Sequence, residues 1–175
     1  MGSRIHNLAF LFLKYINIMM TTELMHFKFF SGKEIENTEE YIKNYLKDNP
    51  NIEIIIGTDS QNKSNYTKWS TVIVLYTPGH GGHCIFKRWK TPKEKIKNVR
   101  LLKEVEESLN IANWLVESGL PKPKYIDIDI NPNPKYKSNE VYQAAKGWVE
   151  SMGFEVRFKT IAPLVTCVAD WVVKH

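Results

Sequence analysis

Residues 54–61 read Ile54-Ile55-Ile56-Gly57-Thr58-Asp59-Ser60-Gln61, "IIIGTDSQ": three aliphatic residues run into a glycine, a carboxylate and small polar side chains. A short β-branched run closed by polar residues is the pattern of a buried strand whose carboxyl end opens onto something polar. The aspartate there either caps a turn or forms one wall of a metal site, and the rest of the chain has to choose between the two.

Working outward, "WSTVIVLYT" (69–77) and "GHCIFKRWK" (82–90) are expected as second and third strands, joined by the glycine-rich "PGHGG" as a hairpin. Ahead of residues 52–58, Ile35, Tyr41, Ile42, Tyr45 and Leu46 recur at helical spacing over 35–48, and Pro50 ends that helix. "FKFFSGKEI" (27–35) reads as a short strand and turn. Downstream, 93–118 form a long amphipathic helix that stops near Gly119 and Pro121, followed by a fourth strand, "KYIDIDI" (124–130). A helix over 138–151, with Ser138 as its N-cap and Gly153 near its end, leads to a fifth strand (154–160) and a last helix (163–174). An antiparallel run of strands followed by alternating helices and strands predicts an α/β domain with a mixed sheet.

The chain has 175 residues, 43% hydrophobic and 25% charged, which fits one globular domain with a single sizeable core. Its net charge of +5 is compatible with a polyanionic partner. Cys84 and Cys167 lie far apart without a CxxC pair, so no disulfide framework is readable and a reducing, cytoplasmic setting is expected. Residues 1–24 are set apart as an N-terminal extension; "NLAFLFLKYINIMM" (7–20) is apolar, but it carries Lys14 and is short for a membrane span, so no stable membrane association is expected. The domain is placed at 25–175. His80, His83 and Cys84 lack a fourth ligand and read as a turn. No GxxxxGK[ST] or GxSxG stretch occurs. "IDIDIN" resembles the DxD motif of haloacid dehalogenase-type phosphatases, but that motif opens its domain, whereas here little chain follows it.

Four elements each place an acid near an apolar face. Asp59 ends the first strand. Asp127 and Asp129 alternate along the fourth and share one face. On the long helix, Leu101, Val105, Leu109, Ala112 and Val116 form the apolar stripe; Glu104 sits at its edge beside Ser108 and Leu115, while Glu106 and Glu107 point toward solvent. Asp170 lies among apolar neighbours in "CVADWVV". If strands one and four are neighbours, Asp59 and Asp129 meet where the strand order reverses, the place at which open α/β sheets bind ligands. Grouped hard-oxygen ligands suit Mg²⁺ or Mn²⁺.

"IIIGTDSQ" (54–61), "RLLKEVEESLNIA" (100–112), "IDINPNPKYKSNEVYQAAKGWVESMGFEV" (128–156) and "VTCVAD" (165–170) together resemble the YkuK-like proteins, relatives of ribonuclease H. The resemblance covers residues 25–175. It implies a ribonuclease H-like fold with a five-stranded sheet of order 3-2-1-4-5, strand two antiparallel to the others. It also implies two divalent metals held by Asp59, Glu104, Asp129 and Asp170, with Glu107 as the other candidate on the helix. The implied activity is metal-dependent hydrolysis of phosphodiester bonds in RNA, DNA or a hybrid. The rival is a binding module that keeps the fold without catalysis. For the nucleic-acid surface, the basic run from 87 to 103, interleaved with Trp89, offers Lys87, Arg88, Lys90, Lys93, Lys97 and Arg100.

Overall fold

The computed structural model describes residues 25–159 and 164–174. The extension 1–24 lies outside them. The described chain runs β1 (Lys28–Phe29), α1 (Thr38–Asp48), β2 (Glu53–Asn62), β3 (Tyr66–Thr77), β4 (Gly81–Pro92), α2 (Lys97–Glu117), β5 (Tyr125–Ile128), a 3-10 turn (Lys137–Val141), α3 (Tyr142–Ser151), β6 (Val156–Phe158) and α4 (Leu164–Lys174). No helix among the described residues is long and apolar enough to cross a membrane.

The sheet is mixed, as expected, but the expected five strands in order 3-2-1-4-5 are corrected to six, ordered β1-β4-β3-β2-β5-β6. The added strand is the short "FKFFSGKEI" segment, whose Lys28 and Phe29 pair with Phe86 and Ile85 at the outer edge of β4. β3 runs against both β2 and β4, β1 runs against β4, and β5 and β6 lie parallel to β2.

Local chemistry explains where the boundaries moved. α1 begins at Thr38 rather than 35 because Asn37 caps it, accepting from the Glu40 amide at 3.0 Å, while the Ile35 amide turns back to the Phe27 carbonyl. α2 begins at Lys97 because residues 93–96 are tied to the β2–β3 turn: the Glu94 amide donates to Thr67 Oγ1 at 2.8 Å and the Lys93 ammonium to the Ser64 carbonyl at 3.2 Å. β2 runs on to Asn62 because β3 continues beside it on one edge. Asp59 therefore stands inside a strand, paired with Ser70, and not at a strand end.

Strand alternation sorts the interior into two layers. Ile54, Ile56, Ile73, Leu75 and Ile85 face α1, α2 and α3, meeting Ile42, Leu109 and Val149. Ile55, Val72, Val74 and Phe86 face the other way, onto Val165, Ala169 and Val172 of α4. The architecture is a sheet covered by helices on both faces.

Candidate active site

β2 and β5 part company at the site. Their last paired residues are Gly57 and Asp127, and two positions further on each strand come Asp59 and Asp129. Asp129 has left the ladder, because β5 ends at Ile128 ahead of the Asn131-Pro132-Asn133-Pro134 loop. The gap between the diverging chains, closed on one side by α2, is a cavity of about 430 Å³ lined by Asp59, Glu104, Asp129, Lys97, Arg100 and Lys159 among others.

Residues of even number on β2 face α2. Thr58 Oγ1 accepts from Ser108 Oγ at 2.9 Å, and Ser60 Oγ donates to Glu104 Oε1 at 2.5 Å. Glu104, only 3% exposed, is held further by Arg100, whose Nη1 lies 3.2 Å from Oε1 and donates to the Ser60 carbonyl and hydroxyl oxygens at 2.6 Å each. Its carboxyl is pushed well above the ordinary carboxylate range, first by burial, then by the nearby Asp59 charge and to a smaller extent by Asp129; the Ser60 hydrogen bond and Arg100 oppose this. Asp129 pairs with the Lys159 ammonium at 2.7 Å. Three acids from β2, α2 and the end of β5 thus meet around one cavity.

Among the described residues no three His, Cys, Asp or Glu side chains close into a group able to hold one ion. Arg100 and Lys159 stand against two of the acids instead. The Asp170 side chain lies outside the described residues, although its backbone is part of α4. Glu107, the other candidate on the helix, does not line the cavity; its carboxylate sits 3.5 Å from the buried Lys87 ammonium. Asp127 is locked elsewhere, accepting from Arg157 Nε at 2.7 Å and Nη2 at 2.9 Å and from the Val165 amide at 3.4 Å.

The mouth loop is a chain of local side-chain bonds. The Asn133 amide donates to Asn131 Oδ1 at 2.9 Å, the Lys135 amide to Asn133 Oδ1 at 3.0 Å, and Asn139 Nδ2 to the Pro132 carbonyl at 2.7 Å. Ser138, expected to cap the following helix, instead accepts from the Asn131 amide at 3.2 Å and so ties the loop shut; the 3-10 turn ahead of α3 has no side-chain cap.

The basic run is split by strand alternation. Lys87 and Trp89 turn toward α2, with the Lys87 ammonium buried over the Trp89 ring. Arg88 and Lys90 face the α4 side: Arg88 Nη1 donates to the Val172 carbonyl at 3.3 Å, and the Lys90 ammonium lies over the Tyr66 ring. Lys93 is exposed, and Lys97 and Arg100 line the cavity. Lys159 was not among the residues expected at the site, because nothing in its local sequence marks it as the partner of an aspartate thirty positions earlier.

A family model described as "Ribonuclease H-like" matches residues 35–174. The chain belongs to the ribonuclease H-like family. Part of the chain is similar to a solved structure, the crystal structure of the catalytic domain of human Endonuclease V, at 15% identity and a TM-score of 0.31, over 52% of this chain and 43% of that one. This chain therefore spans less than half of the structure it resembles. No curated protein matches it.

Proposed function

We propose that the protein is a divalent-metal-dependent nuclease of the YkuK-like group, hydrolysing phosphodiester bonds of RNA, DNA or an RNA/DNA hybrid. The observation that carries this reading is the buried Glu104 carboxyl, raised by its own burial and by Asp59 and Asp129 across a cavity with basic walls. Acids gathered against their own repulsion call for positive charge to hold them together. Their donors are all carboxylate oxygens, a set that fits Mg²⁺ or Mn²⁺. Asp59, Glu104 and Asp129 would hold the ions, with Asp170 of α4 as fourth ligand. Bound there, two such ions would supply an activated water and charge stabilisation for the attacking and leaving oxygens.

The remaining roles belong to the chain's own residues. Ser60 orients Glu104 through its hydrogen bond. Arg100 and Lys159, paired with carboxylates in this structure, would turn to phosphate oxygens once cations replace them at the acids. A second reading, a nucleic-acid-binding module without catalysis, is favoured by those same two ion pairs, which already neutralise two of the three acids.

The test is cleavage of labelled RNA, DNA and hybrid with Mn²⁺ or Mg²⁺ by the wild type and by Asp59→Asn. Loss of a ligand is expected to cost at least about 100-fold, the upper end of what loss of a ligand's supporting partner costs. Binding without cutting or metal uptake establishes the second reading. Equal cutting by both proteins assigns the activity to a contaminant.

A further inference from the structure

Helix α4 packs on Ile55, Val72, Val74 and Phe86 of one sheet face. Further along the same three strands that face changes character. Level with Asp59 come Ser70 of β3 and Arg88 of β4; level with Gln61 come Lys68 and Lys90. Alternation puts all of these on the α4 side, as the Arg88 bond to Val172 and the position of Lys90 over Tyr66 show. Arg88 and Lys90 are exposed and Lys68 half-buried. Among the described residues none of the three cations is ion-paired. Their mutual repulsion is felt at Lys68, whose ammonium is pushed below the usual lysine range by burial first and then by Arg88, Lys63 and Lys90.

Directly opposed residues on neighbouring antiparallel strands have Cβ atoms about 4.5–5.5 Å apart, and alternate residues on one strand lie about 7 Å apart. Lys68, Lys90 and Arg88 therefore form a compact cationic strip that ends at Asp59. The repulsion within such a cluster is relieved by a polyanion laid across it. We propose that this strip of β3 and β4 seats the phosphodiester backbone of a single nucleic-acid strand and leads it to the carboxylate cavity. The strand crosses the sheet rather than following the basic run toward α2. Lys68 belongs to this surface although it lies outside that run. The inference rests on the nuclease reading only for what happens at the end of the path.

The experiment measures binding of a fluorescent single-stranded oligonucleotide in chelator over a range of salt. It compares the wild type, Lys68→Gln/Lys90→Gln and Lys47→Gln/Lys146→Gln, the last pair lying on α1 and α3 over the other sheet face, with melting curves to establish that each is folded. Single-strand binding loses about 0.7 in the slope of log affinity against log salt for each phosphate contact removed. The Lys68→Gln/Lys90→Gln protein is expected to show a slope shallower by about 1.4, and the Lys47→Gln/Lys146→Gln protein the wild-type slope. An unchanged slope in the first, an equal loss in the second, or displacement of the strand by poly-glutamate as readily as by oligonucleotide overturns the proposal. Wild-type cleavage of the same oligonucleotide with Mn²⁺ is scored separately. A lowered slope without cutting keeps the strip and removes the nuclease reading; cutting with an unaltered slope does the reverse.

Discussion

Glu104 and Asp127 are both buried acids, but the chain treats them differently. Asp127 meets Arg157 directly across the β5–β6 pairing, in a two-bond contact that leaves neither oxygen stranded. Arg157→Ala is expected to cost about 3–5 kcal/mol, because it leaves a charge in the interior without its partner; urea unfolding of the two proteins checks this. Glu104 has only Arg100 and Ser60 against its burial and two neighbouring acids. Its folded carboxyl is raised, so in metal-free protein the native state holds its proton longer than the unfolded chain does. Stability therefore falls as pH climbs from the ordinary 4.5 toward the raised value. Glu104→Gln should melt like the wild type near pH 4 and higher than it at pH 8, in melts run with chelator. The sequence showed Asp59, Glu104 and Asp129 because strand alternation and the helix stripe place acids at apolar borders. It could not separate Asp127 from Asp129, which share a face; only the residue opposite on β6 does that. Lys68 and Lys159 stayed hidden for the same reason, since their partners are set by strand pairing.

Between elements, α4 comes down tightly onto β2 at Gly57. A Cβ built there would come within 2.9 Å of Val165 Cγ1 and 3.2 Å of the Asp127 carbonyl oxygen. Gly57→Ala is expected to cost about 1–3 kcal/mol through overpacking, and Val165→Ala in the same chain to return part of it, since the two positions touch; denaturant melts of the single and double variants give the coupling. The glycine in "IIIGTDSQ" thus lets a helix come down one residue pair before the site. Element types were legible throughout the described chain because apolar periodicity survives in each. Boundaries were less so: Asn37, Thr67 and Ser138 set them through side-chain bonds to residues that a periodic pattern does not weigh.

At the scale of the whole molecule, a ligand that binds only the folded protein raises its melting point by mass action. If Mn²⁺ enters the carboxylate cavity, a hundredfold excess over its dissociation constant is worth about 2.7 kcal/mol, and at roughly 2–4 °C per kcal/mol for a chain of this size the midpoint moves visibly. Asp59→Asn should show a smaller rise, and equal rises would place the ion elsewhere. The mixed sheet flanked by helices was readable from the order of elements, and so was a short strand within 27–35, but its place in the sheet was not, because two residues carry no pattern that names the edge they pair with.

That small strand nonetheless has a job out of proportion to its length. β4 is twelve residues long and without β1 would present Ile85 and Phe86 on an open border, where a neighbouring molecule's strand could add itself. β1 occupies that stretch, and further along the same border the side chains of Arg88 and Lys90 set like charges against any second copy. Solubility at this margin is therefore divided between a two-residue plug and electrostatic repulsion.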